Sequence, residues 1–207
     1  VGFEKEPVFW LPFVFSDGGN VLGDNAPDLD LAAREAIQFY ADLPYKYNAA
    51  PKKSDSASLT MAQMFLQKRL AMIISGRWLV PKFRESADFD WDIVPVPAGK
   101  IGSISNVDSS GYAVSASSKH KNEAVLFIKF LNSPDSVSEL TKSGLIVPAR
   151  RDIAYSSAFL GGKPSNAATY LKAVETGRVT PVNENYQKIT DSLNTLLEPV
   201  FSGQKRF

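Results

Sequence analysis

Apolar positions along this chain recur mostly at helical spacing, broken by short apolar runs that read as strands. Leu29, Ala32, Ala33, Ile37, Tyr40 and Leu43 mark one face of a helix, with Asp28 or Asp30 as its N-cap. Pro44 is expected to close it, because the residue before a proline avoids the helical region. Residues 46–58 read as a loop, and a second helix is predicted over about 59–68. It leads into an apolar run that predicts a buried strand over 71–75, then Gly76, which permits a sharp turn, then Trp78. Further strands are predicted over 91–97, closed by Pro95 and Pro97, and over 111–115.

The second half turns helical. Ala124, Phe127, Ile128 and Leu131 mark an amphipathic helix. Ser133-Pro134 reads as an N-cap followed by proline at the first helical position, and Gly144 ends the helix it starts. Another helix is predicted over about 166–176, with Gly177 just past its end. The last carries Tyr186, Ile189, Leu193, Leu196, Leu197 and Val200 on one face, and Pro199 is expected to kink or shorten it. Residues 7–15 are dense in aromatics and stop at the turn signal Asp17-Gly18-Gly19. No repeat or low-complexity tract interrupts this order, which is that of a mixed α/β protein.

Composition narrows the chemistry more than the fold. A length of 207 residues allows one large domain or two small ones, and 44% apolar with 22% charged residues suffices for a globular core. No apolar run nears the roughly 20 residues of a membrane span. A net charge of +1 gives no drive toward nucleic acid or anionic lipid. With no cysteine, thiol nucleophiles, disulfides and thiolate metal sites are excluded within the chain. The one histidine, His120, lies between Lys119 and Lys121 in a polar turn and reads as surface, so a multi-histidine metal site is excluded too. Gly18-Gly19 and Gly161-Gly162 read as turns rather than phosphate loops. No acid pair sits in a recognisable hydrolase motif. Neither a catalytic residue nor a cofactor is assigned.

Six segments taken in order carry more than any one of them. They are EPVFWLPFVFSDGG at 6–19, AMIISGRW at 71–78, WDIVPVP at 91–97, GYAVSASSKHKNEA at 111–124, FIKFLNSP at 127–134 and SGLIVPAR at 143–150. In this order the chain resembles the extracellular solute-binding proteins of ABC importers, in the branch that binds maltose and other oligosaccharides. The resemblance implies a periplasmic-binding-protein-like two-lobe α/β fold, of which this chain holds mostly the C-terminal lobe plus helices of the N-terminal lobe. It implies a C-terminal-lobe body over residues 1–108, a hinge crossing and N-terminal-lobe segment over 109–165, and helices over 166–207 that return to the C-terminal lobe. Family members are longer and begin with an export signal, whereas residues 1–6 have neither the apolar segment nor the cleavage site of a signal peptide. The expectation is therefore the C-terminal part of a longer protein, acting outside the cytoplasm, periplasmic or lipid-anchored. Its implied partners are a sugar ligand, the permease subunits of an importer, and the remainder of its own protein, with no nucleic acid.

A sugar presents apolar C–H faces and polar edges, so its site needs flat aromatics and hydrogen-bonding groups. Trp78 aligns with a tryptophan that sugar-binding relatives use for stacking, although a tryptophan after a strand also serves as core. Trp10 lies in a segment that places an aromatic against ligand in relatives, and core packing is its alternative. Tyr112 follows the glycine at the implied crossing, where its hydroxyl reaches a ligand or its ring fills the hinge. Asp108 and Arg150 are candidate hydroxyl partners or ordinary surface. Trp91 and Tyr186 read as packing residues. The implied function is capture of a sugar or oligosaccharide in an inter-lobe cleft and delivery to a permease, by hinge closure. The alternatives are a carbohydrate-active enzyme with an aromatic-lined cleft, or a binding protein for another solute.

Overall fold

Helices form where the apolar period and the caps coincide. The computed structural model describes residues 1–24, 26–56 and 59–207. Its helices are α1 (Pro7–Ser16), α2 (Leu31–Tyr45), α3 (Lys53–Ser56), α4 (Met61–Leu66), α5 (Val80–Ser86), α6 (Lys121–Leu131), α7 (Pro134–Lys142), α8 (Arg151–Ala154), α9 (Ser157–Leu160), α10 (Ala168–Thr176) and α11 (Tyr186–Phe201). A 3-10 turn, Arg77–Leu79, precedes α5. Two short strands, β1 (Asn106–Val107) and β2 (Arg178–Val179), pair in parallel, Asn106 opposite Arg178.

The chain divides into two compact units. One comprises residues 1–75, 95–107 and 173–207; the other comprises 76–94 and 108–172. Residues 76–94 thus side with the second unit, whereas the sequence reading kept all of 1–108 in one body.

In the first unit the core is a helix sandwich. Pro7 sits at the start of α1, where its missing N–H costs nothing. Trp10, Leu11, Val14 and Phe15 of α1 cluster with Ala33, Ala36, Ile37 and Tyr40 of α2 and with Ile189, Leu193, Leu197, Val200 and Phe201 of α11. Asp30 caps α2 by accepting from the Ala33 N–H at 2.7 Å. Tyr40 is fully buried, and its hydroxyl donates to the Glu4 carbonyl at 2.8 Å. Burial pushes that phenol above its ordinary pKa. Pro44 does not close α2, which runs to Tyr45, nor does Pro199 stop α11 before Phe201. Both prolines sit in the last turns, where the helix loses one hydrogen bond each rather than its course.

In the second unit, Val80 and Phe83 of α5, Trp91, Val137 of α7, Ile153 and Ala154 of α8, Phe159 of α9 and Ala167 are among the buried apolar side chains. Helix α9 packs on α7 and α8. Ser133 caps α7 by accepting from the Ser136 N–H, and Gly144 follows with φ +91°, the left-handed stop expected of it. Trp91 packs edge-on to Phe83 with ring centroids 5.5 Å apart.

The strands expected over 71–75, 91–97 and 111–115 are not formed. A strand exists only within a ladder. The Met72 carbonyl accepts one bond, from the Gly2 N–H at 2.9 Å, and no ladder grows from it. Residues 111–113 and 115 are exposed. The body expected as mixed α/β is therefore helix-rich among the described residues.

Candidate ligand site

Trp78 owes its place to the two residues before it. Gly76 has φ −102° and ψ −177°, an extended conformation open to any residue, so a turn is not why glycine is needed here. Space is the reason. A Cβ at Gly76 would stand 1.8 Å from Cζ3 of the Trp78 indole and 2.3 Å from its Cε3. The ring therefore lies directly against the Gly76 backbone, with 48% of the residue still exposed. A large aromatic seated against backbone and half exposed offers the flat apolar surface a sugar face needs.

Behind Trp78, Arg77 turns inward. It is 4% exposed, and its guanidinium lies 4.0 Å from the Phe159 ring centroid and 5.6 Å from that of Tyr170. Burial pulls its pKa down to about 10, with nearby Arg84 adding in the same direction and Tyr170 opposing. Sequence reasoning passed over Arg77. Nothing local announces that a residue between Gly76 and Trp78 packs on two rings far along the chain.

Helix α5 carries the segment onward and is clasped in place. Arg84 donates through Nε to the Lys163 carbonyl and through Nη1 to the Lys142 carbonyl at 2.7 Å. Lys163 pairs with Asp90, and the Ser165 hydroxyl donates to Asp92. Asp92 Oδ1 also accepts from the backbone N–H of Asn166 at 3.0 Å and of Ile93 at 2.9 Å. Partial desolvation pushes the Asp92 carboxyl upward, but the hydrogen bonds from Ser165, Asn166 and Ile93 outweigh it and hold the pKa below its ordinary value.

The other expected site residues divide. Trp78, Asp108, Tyr112 and Arg150 all belong to the second unit. Tyr112 and Asp108 are exposed. Arg150 is exposed at the start of α8 and engages Asp152, with Nε to Oδ1 at 3.2 Å and Nη2 to Oδ2 at 2.8 Å. That pairing holds its pKa above the ordinary value. Trp10 is a correction. It is 1% exposed in the first unit's core, tilted against Phe201 with centroids 6.1 Å apart, and its indole N–H donates to the Lys5 carbonyl. The helical twist of α1 sends it to the face shared with Val14, and no indole face is left for a ligand. His120 is exposed, and no group of three or more histidines and acids among the described residues is arranged to hold a metal. No described helix is long and apolar enough to cross a membrane.

Residues 2–137 match the bacterial extracellular solute-binding protein family. The chain belongs to that family. Among solved structures, this solute-binding protein is similar to an ABC substrate-binding protein from Listeria monocytogenes in complex with cycloalternan, with a TM-score of 0.81, 20% identity and coverage of 99% of this chain and 54% of that one. A maltotriose-binding protein of Thermus thermophilus, bound with maltotriose, gives 0.77 at 22% identity, covering 97% of this chain and 55% of that one. The maltose/maltodextrin-binding domain MalE of Bdellovibrio bacteriovorus, bound to maltotriose, gives 0.80 at 25% identity, covering 100% and 55%. Over 61 residues the chain is also 39% identical to an uncharacterized lipoprotein of Streptomyces antibioticus, a match to 30% of this chain and 14% of the other. The fold is that of the two-lobe periplasmic binding proteins, and this chain spans about half the length of the solved relatives.

Proposed function

We propose that this solute-binding protein captures a sugar or oligosaccharide outside the cytoplasm and hands it, chemically unaltered, to the permease of an ABC importer. The observation that carries the reading is Trp78, an indole seated against the Gly76 backbone and half exposed, in a chain of this family. Trp78 stacks on a sugar face. The exposed Tyr112 and Asp108 offer a hydroxyl and a carboxylate to sugar edges. Arg150 carries five N–H donors, more than the two oxygens of Asp152 take, and serves the same edges. The maltodextrins and cycloalternan bound by the similar structures set the class of ligand to try first. A periplasmic or lipid-anchored location follows from this role.

Calorimetric titration of the intact protein with maltotriose and cycloalternan tests it. Trp78→Ala is expected to weaken binding by roughly 1–3 kcal/mol, the scale of a stacked aromatic and its buried area. Its melting temperature should hardly move. Unchanged affinity with a sharply lowered melting temperature would make Trp78 a structural residue and remove the reading.

A further inference from the structure

We propose that Arg77 is a positioning residue for the Trp78 ring, a buried cation whose packing on Phe159 and Tyr170 fixes the turn that presents the indole. The inference rests on the reading of Trp78 as the sugar-stacking side chain.

Three observations carry it. First, Nε, Nη1 and Nη2 of Arg77 are all buried and have no hydrogen-bond partner among the described residues. A buried guanidinium without a carboxylate is costly, and a methionine or leucine would fill similar space without that cost. Packing alone does not account for an arginine here. Second, the guanidinium faces aromatic π-systems instead, 4.0 Å from the Phe159 centroid and 5.6 Å from that of Tyr170. Such contacts attract a cation most strongly when it is desolvated, and they are directional enough to hold it over the ring. Phe159 is itself fully buried, on a helix capped by the Ser156 hydroxyl, so the prop is fixed. Third, the turn it holds is short and is closed by backbone bonds alone, one of them from the Val80 N–H to the Arg77 carbonyl. Arg77–Leu79 is three residues long, lacks a side-chain cap, and its bond from the Leu79 N–H to the Gly76 carbonyl is 3.5 Å. The orientation of Trp78 is thus set by the Gly76 backbone on one side and the Arg77 anchor on the other. The guanidinium nitrogens are already covered, so they act through Trp78 rather than on a ligand.

The test labels the intact protein with 5-fluorotryptophan and assigns the Trp78 fluorine line by its loss in Trp78→Phe. Arg77→Met keeps the aliphatic stem and removes the charge. It is expected to shift or broaden the Trp78 line while the Trp10 and Trp91 lines stay in place. Its melting temperature should be equal to or above wild type, because a desolvated charge has gone. Its affinity for maltotriose should fall about tenfold, equivalent to about 1.4 kcal/mol. Arg77→Lys restores a cation and should recover part of the wild-type line and affinity. Phe159→Leu removes the ring yet stays apolar, and should move the same line if Arg77→Met fails to fold. The fluorine spectrum needs no ligand, so it decides the positioning claim separately from the sugar reading. Trp78→Ala without effect on maltotriose binding would sink that reading alone. An unmoved Trp78 line in both Arg77→Met and Phe159→Leu would overturn the positioning role.

Discussion

Gly76 and Trp78 show how a residue with no side chain can govern one with a large side chain. The indole occupies the volume a Cβ would claim at 1.8 Å, well inside any tolerable contact. Gly76→Ala is therefore expected to push the ring off its backing, with an overpacking cost of about 1–3 kcal/mol on stability and a loss of sugar affinity. Thermal melting and calorimetry on the intact protein read both, and a variant with wild-type affinity would mean that the ring's seat is irrelevant to binding. The three tryptophans also mark how far a sequence can be read at this scale. Trp91, flanked by acids, was expected to pack and does so against Phe83. Trp10 and Trp78 both stood open between ligand contact and core, and only coordinates separate a residue 1% exposed from one 48% exposed. What separates them is the direction of a helix face and the contact made by Arg77 across the chain, and local sequence encodes neither.

At the scale of elements, the segment 76–94 that carries Trp78 is held by the clasp around Asp90, Asp92 and Arg84. Asp92 has a folded pKa below its unfolded value, so the folded state favours its ionised form. Its contribution is fully present above the unfolded value of about 3.9 and is lost as pH falls through the lower folded value. Because the carboxylate is exposed, the effect should be small. Thermal melts of wild type and Asp92→Asn across about pH 2–6 should show a modest stability gap above about pH 4 that closes in acid. A gap that persists at the acid end would mean the clasp does not depend on the charge. Helices were legible where period and cap coincided, as at Asp30 for α2 and Ser133-Pro134 for α7. The expected strands were not formed, because an apolar run specifies only that a segment be buried or extended. A ladder also needs a neighbour with matching register, and the two short strands that did form, β1 and β2, lie far apart in sequence.

For the whole molecule, the decisive feature is α6. It is amphipathic, as the spacing of Ala124, Phe127, Ile128 and Leu131 predicts, yet none of its residues is buried. Val125, Leu126, Phe127 and Phe130 are all exposed, and the Phe127 and Phe130 rings stack on one another with centroids 6.4 Å apart. A face of this kind is rarely left to water in a soluble protein. The 111–115 segment just before it stands in no ladder, and its residues 111–113 and 115 are exposed as well. In relatives about twice as long, the same fold has more chain with which to cover such a face. The 207-residue chain on its own is therefore expected to associate with itself and to bind maltotriose weakly or not at all. Light scattering over a range of concentrations should show a rising mean mass, and the double variant Leu126→Glu, Phe130→Glu should hold the chain monomeric by placing charges on that face. Titration of the same samples with maltotriose completes the comparison. A wild-type chain that stays monomeric at every concentration and binds the sugar tightly would mean that these residues hold the entire site and that α6 needs no cover.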